Sequence, residues 1–86
     1  MGSYQVALKS SAEKDLRALP PEVIERIYNR IEDLKTSPIS RQSIKMSGAE
    51  QTYRIRVGNY RIIFQVDHKN TLVTIYHIRH RKNVYR

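Results

Sequence analysis

Apolar side chains recur along this chain with two different periods, and the change from one to the other divides it. Between Ala12 and Leu34 the spacing is helical. Ala12, Leu16 and Leu19 fall on one face, and Ile24, Ile27, Ile31 and Leu34 recur at i, i+3, i+7 and i+10 as a single stripe. Glu22, Glu25, Arg26, Arg30, Glu32 and Asp33 cover the rest of that second segment. Pro20-Pro21 separates the two stripes; it ends one helix and can start the next, because proline suits the first helical position. Ser10-Ser-Ala-Glu13 has the form of a capping box, with Ser10 as N-cap and Glu13 reaching back. Thr36-Ser-Pro38 stops the second helix. The pattern predicts an antiparallel helical hairpin with a core-facing seam.

From Tyr53 the period becomes two. In Tyr53-Arg-Ile-Arg-Val-Gly-Asn-Tyr-Arg-Ile62, the dipeptide Gly58-Asn59 separates two alternating runs, the signal of a β-hairpin with a two-residue turn. Val57 then pairs with Tyr60, Arg56 with Arg61, Ile55 with Ile62 and Arg54 with Ile63. Successive side chains alternate between faces. Tyr53, Ile55, Val57, Tyr60, Ile62, Phe64 and Val66 therefore form a core face, and Arg54, Arg56 and Arg61 share the other. Tyr4–Leu8 is a candidate first strand, and Thr71–Ile78, rich in β-branched and aromatic residues, a last one. Leu72, Val73, Ile75, Tyr76 and Ile78 spread over both faces of that strand, as a central strand covered by helices tolerates. A polar connection from Ile39 to about Gln51 is expected to carry no element. The expected order is β-α-α-β-β-β, an α+β fold in which a small antiparallel sheet carries both helices on one face.

Charge sharpens the meaning of the arginine face. The formal net charge is +8, and it is unevenly placed: residues 1–50 carry eight Lys+Arg against seven Asp+Glu, residues 51–86 eight against one. Like charges directly opposite on adjacent strands are unfavourable. The face needs acidic neighbours within the fold or an external anion. The single acid of the second part, Asp67, ends a strand beside His68-Lys69-Asn70, where the composition predicts a turn, and the acids of the first part read as helix-surface residues. An external polyanion, nucleic acid, is the favoured reading over a merely solvated basic face.

Length and composition exclude several classes. Eighty-six residues make one domain, 1–86, which buries only a little over ~60% of its unfolded surface. The chain has no cysteine, so disulfides, thiolate metal sites and cysteine nucleophiles are absent, which fits a cytoplasmic protein. No stretch is apolar enough for a signal peptide or membrane span. Gly-rich phosphate loops, a Ser-His-Asp arrangement and paired carboxylates are also missing, and the histidine spacing matches no metal site.

Metal-free RNA cleavage needs a group that takes the ribose 2′-OH proton, cations around the phosphorane-like transition state, and a donor for the leaving 5′-oxygen. Arginine fits the second role, since its planar fork stays charged and pairs bidentately with phosphate. Tyr85, within Arg79-His-Arg-Lys-Asn-Val-Tyr-Arg86, sits among cations that favour a phenolate. It can equally anchor the terminus or stack on a base. His77 and His80, near the end of the last strand, are candidates for proton transfer; His68 reads as a solvated turn residue.

The element order, Lys45-Met46-Ser47-Gly48, the hairpin YRIRVGNYRIIFQV and the closing HRKNVY together resemble the RelE toxins of type II toxin–antitoxin systems, within the RelE/ParE superfamily, over essentially the whole chain. That resemblance implies a ribosome-dependent endoribonuclease that enters the ribosomal A site, cuts mRNA there without a cofactor, and is held inactive by a RelB-like antitoxin. Residue by residue, it implies that Arg61 stabilises the transition state with Arg56 opposite, that Arg81 acts at the leaving oxygen, that Tyr85 orients or helps deprotonate the 2′-OH, and that Arg54 holds the RNA backbone. Lys45, Arg79, Lys82 and Arg86 add candidate RNA contacts. The best-known member has lysines where this chain has Arg54 and Arg56, so a strand lysine as base does not transfer. Two competing readings are a ParE-like toxin that inhibits DNA gyrase by binding it, and a basic RNA-binding module without catalysis.

Overall fold

The computed structural model describes residues 3–39, 43–45 and 51–80. In chain order the elements are β1 (Gln5–Leu8), α1 (Ser10–Arg17), α2 (Pro21–Thr36), β2 (Ser43–Lys45), β3 (Thr52–Val57), β4 (Tyr60–Asp67) and β5 (Leu72–His80). They form an α+β fold whose single sheet has the strand order β1-β5-β4-β3-β2. The helical stripe finds its partner on one face of this sheet. Ile27, Ile31 and Leu34 of α2 and Ala12 and Leu16 of α1 are buried with Ile55, Val57, Ile62, Phe64, Val66, Val73, Ile75 and Ile78. Burial of each large aliphatic or aromatic side chain contributes roughly 1.5–3 kcal/mol, and this layer is the molecule's core.

Four expectations change. The sheet is mixed, because β1 runs parallel to β5, with Gln5 beside Leu72 and Leu8 beside Ile75. A parallel pair needs a long crossover between its strands; here the whole of α1 to β4 supplies it, and side-chain periodicity carries no information on strand direction. The sheet also has five strands. β2 lies in the connection expected to be irregular, where Ser43, Ile44 and Lys45 pair with Ile55, Arg54 and Tyr53. A three-residue edge strand held by backbone bonds leaves no periodic signature.

The capping box does not form. Lys9 occupies the N-cap with φ −67° and ψ 156° and no side chain caps the helix; the Glu13 amide donates to the Lys9 carbonyl at 3.0 Å. Finally, β5 extends to His80, and the β4–β5 register shifts between Ile63 and Phe64. That bulge accounts for the irregular apolar spacing of β5. Val73, Ile75 and Ile78 are the buried positions, two apart and then three, because the extra residue returns Ile78 to the core face.

Junctions between elements satisfy the polar ends. Pro20 caps α2 with Pro21 behind it, and the amides of Val23 and Ile24 both donate to the Pro20 carbonyl at 3.0 Å. At the other end, the Lys35 carbonyl accepts from the Tyr4 amide at 2.7 Å, tying α2 to the start of β1. Among the described residues, no helix is long and apolar enough to cross a membrane.

Candidate nucleic-acid interface

The hairpin that carries the arginines adopts the register its sequence dictates. Val57 lies opposite Tyr60, Arg56 opposite Arg61, Ile55 opposite Ile62 and Arg54 opposite Ile63. Of the two turn residues only Gly58 has a positive φ, 60°, the pattern of a type II′ turn with glycine first. A Cβ there would stand 3.0 Å from Nη2 of Arg26, so the α2 side chain packs against the bare backbone of the tip.

On the face away from the helices, Arg61 is flanked on both sides. Arg56 on β3 and Arg79 on β5 are its direct cross-strand neighbours, so three arginines form one row across three strands. Arg61, in the middle, is only 7% exposed, whereas Arg56 is exposed. Beside the row, Ile44, Arg54, Arg56 and Arg61 line a depression of about 260 Å³. Among the described residues, Ile44 is the one apolar member of that lining and is 54% exposed. The sequence reading missed it, because the facing of a residue in β2 follows only from its pairing with Arg54.

Lys45 changes place for the same reason. It lies opposite Tyr53, a residue of the core face, and therefore points away from Arg54 and the depression. His80 is also removed from the arginines. It pairs with Tyr60 and meets that ring edge-on, with centroids 5.1 Å apart and planes at 87°. His77 stays on the arginine side, opposite Ile63. The candidate residues Arg81, Lys82, Tyr85 and Arg86 lie outside the described residues, as do Met46, Ser47 and Gly48 of the connecting motif.

The acids of the first half are not all helix-surface groups, which corrects the expectation that none would reach the basic face. Beyond Ile75, β5 no longer pairs with β1, and α1 takes over its edge with two side chains one turn apart. Ser11 Oγ donates to the Tyr76 carbonyl at 2.7 Å, and Asp15 Oδ2 accepts from the Ile78 amide at 3.0 Å. The same Asp15 oxygen is 3.5 Å from Nε of Arg79 and 3.4 Å from Nδ1 of His77. Nη2 of Arg79 lies 3.0 Å from His77 Nδ1. Arginine is always a donor, so at this shorter contact Nδ1 accepts and the imidazole carries its proton on Nε2. The 3.4 Å approach to Asp15 is then a neighbourhood and not a hydrogen bond. The spacing of Ser11 and Asp15 at i and i+4 is a sequence signal, but the free edge that uses it is visible only in three dimensions.

At the opposite end of the sheet a separate polar turn closes β4 onto β5. The Asn70 side-chain amide donates to Asp67 Oδ2 at 2.8 Å and its backbone amide to Oδ1 at 3.1 Å. These bonds, the side-chain one first, hold the Asp67 carboxyl below its ordinary value of 3.8. His68 is not merely solvated, since its Nδ1 is 2.9 Å from the Tyr4 hydroxyl.

Residues 6–85 match the family model described as the ParE toxin of type II toxin–antitoxin systems, parDE. The chain belongs to the RelE/ParE family of type II toxins. Among curated RelE-type relatives, toxin RelE3 of Methanocaldococcus jannaschii is 34% identical over 76 residues, with 84% of each chain covered. Toxin RelG of Mycobacterium tuberculosis is 29% identical over 84 residues, covering 96% of this chain and 97% of that one. The fold agrees: the archaeal RelE–RelB complex from Pyrococcus horikoshii superposes with a TM-score of 0.82 at 28% identity, covering 92% of this chain and 96% of that one. This RelE-type toxin thus has a row of three arginines on the sheet face that its helices leave open.

Proposed function

We propose that this toxin is a ribosome-dependent endoribonuclease that cuts mRNA in the A site by attack of a ribose 2′-oxygen on the adjacent phosphorus. The observation that supports it is the Arg56–Arg61–Arg79 row. Charge builds up on the non-bridging oxygens as the 2′-oxygen adds and the 5′-oxygen leaves, giving a 2′,3′-cyclic phosphate and a 5′-hydroxyl. Fixed cations around that centre stabilise it, and they act more strongly where water is excluded. Arg61, central and buried, is the transition-state residue; Arg56 and Arg79 flank it, and Arg54 holds the backbone along the 260 Å³ depression.

His77 Nδ1 is engaged by Arg79, and His80 faces Tyr60 on the other side of the sheet. That leaves proton transfer to the roles implied by resemblance: Tyr85 at the 2′-OH and Arg81 at the leaving oxygen. A site so poor in strong bases depends on alignment supplied from outside. The A site gives such alignment, and effective molarities for oriented groups can be very large. The inhibitor is a RelB-like antitoxin, as in the RelB–RelE complexes this fold resembles, and its acidic or amphipathic segment covers the arginine face or displaces the basic tail.

A second reading is favoured by the ParE description of the matching family model: a toxin that binds DNA gyrase and cuts nothing. Mapping mRNA 5′ ends in translating extracts separates the two. Cuts inside A-site codons that require ribosomes and disappear with Arg61→Ala establish the nuclease. Intact mRNA from a protein that remains toxic in cells moves the target to gyrase.

A further inference from the structure

We infer that Asp15 is a positioning residue for the arginine row: it fixes the guanidinium of Arg79 beside Arg61 and at the same time holds the β5 edge that carries Arg79. The inference rests on the nuclease reading for its consequence in catalysis, but its geometry stands apart from that reading.

An arginine opposite another arginine is pushed to swing away, because like charges directly across a ladder repel and the side chain has many rotamers. Arg79 is in that situation, opposite Arg61. Two contacts oppose the swing. Nε stands 3.5 Å from Asp15 Oδ2, an ion-pair distance at which it makes no hydrogen bond, and Nη2 lies 3.0 Å from His77 Nδ1. The charge of Asp15 on one side of the fork and the Nη2 contact on the other restrict where the guanidinium can lie, and leave Nη1 and the second Nη2 hydrogen for an anion. The charge of Asp15, whose side chain is 24% exposed, also offsets the repulsion at the Arg61–Arg79 end of the row. Among the described residues no comparable acid stands beside Arg54 or Arg56.

Asp15 is itself held by a second partner, the Ile78 amide, which donates to Oδ2 at 3.0 Å. This amide precedes Arg79 by one residue, so the carboxylate grips the strand and its arginine together. The two duties separate chemically. An amide oxygen still accepts from the Ile78 N–H, but it carries no charge to hold Arg79. Asp15→Asn therefore removes the tether and keeps the edge, whereas Asp15→Ala removes both. Ser11→Ala breaks the neighbouring edge bond to the Tyr76 carbonyl without touching Arg79.

The test uses the full chain with ribosomes programmed with a defined A-site codon, in single turnover, alongside NMR of the arginine Nε–H groups. The expected result for Asp15→Asn is about a ten- to hundredfold fall in the single-turnover rate constant, with the half-saturating ribosome concentration within about twofold and a melting temperature lower by no more than a few degrees, the size of a partly exposed ion pair. Ser11→Ala is expected to melt earlier with the rate constant unchanged. In an Arg79→Ala background, adding Asp15→Asn should change the rate constant no further, since its effect passes through Arg79. The Arg79 Nε–H signal should exchange slowly in the wild type and rapidly in Asp15→Asn. The inference is overturned if Asp15→Asn lowers the rate constant equally without Arg79, or if Arg79 Nε–H exchange is the same in both proteins. A wild type that cuts no mRNA would sink the nuclease reading, and the exchange measurement alone would then decide the tether.

Discussion

Arg56 faces Arg61 across the β3–β4 ladder, a placement of like charges that disfavours the fold and that an anion lying between or above them would relieve. Opposed like charges destabilise by some tenths of a kcal/mol to ~1 kcal/mol. Arg56→Thr, which replaces an exposed cation by a good strand former, is expected to raise the melting temperature while lowering cleavage. Thermal unfolding beside single-turnover cleavage checks this opposition. Loss of both properties together would mean that Arg56 supports the fold and not the site.

Arg61→Lys keeps a charge and loses the fork. Removal of one preorganised donor from a developing oxyanion typically costs about 10²–10³ in kcat, and lysine recovers only the point charge. Cleavage by Arg61→Lys should therefore fall by at least about tenfold, with Arg61→Ala lower still. Equal rates for wild type and Arg61→Lys would show that bidentate pairing has no part in the step.

Gly58 is the turn residue with φ 60°. Alanine in that region costs about 1–2 kcal/mol, and its Cβ would also press on Arg26 Nη2 at 3.0 Å. The guanidinium is the far end of a flexible side chain and can move, so backbone strain dominates. Gly58→Ala should unfold at lower denaturant concentration, and Gly58→Asn should lose less, because asparagine tolerates a positive φ.

Phe64 is fully buried at the centre of β4 and stacks on Tyr53, with centroids 5.9 Å apart and planes at 23°. Phe64→Ala is expected to destabilise by about 3–5 kcal/mol. For a domain of this size that is a fall of well over ~10 °C in melting temperature. Phe64→Leu, closer in volume, should cost under about 1.5 kcal/mol. Chemical denaturation of the three proteins gives the comparison.

The Asp67 carboxyl is held below 3.8 by its bonds from Asn70. A folded value below the unfolded one means that the stabilisation is complete above the unfolded value and is lost as pH falls through the folded one. The window is therefore the acid side of about 3.8. Asp67→Asn should flatten the fall of melting temperature with pH in that range and leave the dependence above roughly pH 5 unchanged. An identical acid limb in both proteins would remove Asp67 from the account.

Several features were legible in the sequence because they depend on neighbours along the chain. The α2 stripe of Ile27, Ile31 and Leu34, the break at Pro20-Pro21 and the register of Arg56 against Arg61 around Gly58-Asn59 are all of this kind. A hairpin's turn fixes its register, and a period fixes which side chains share a face. The family resemblance was also carried by short contiguous motifs.

What the tertiary structure alone decided involves partners distant in sequence. The direction of β1 against β5 leaves no trace in side-chain periodicity, and β2 is too short to show any. The bulge between Ile63 and Phe64 reverses the facing of everything after Ile75, which makes β5 look irregular in the sequence although its core positions are well defined. The same long-range pairing exchanges Lys45 for Ile44 at the arginine depression and turns His80 to the other face. It also brings Asp15 from α1 to Arg79, because α1 lies along the edge of β5 that β1 leaves unpaired. Sequence set the local register of the cations; long-range strand and helix packing chose which other groups stand among them.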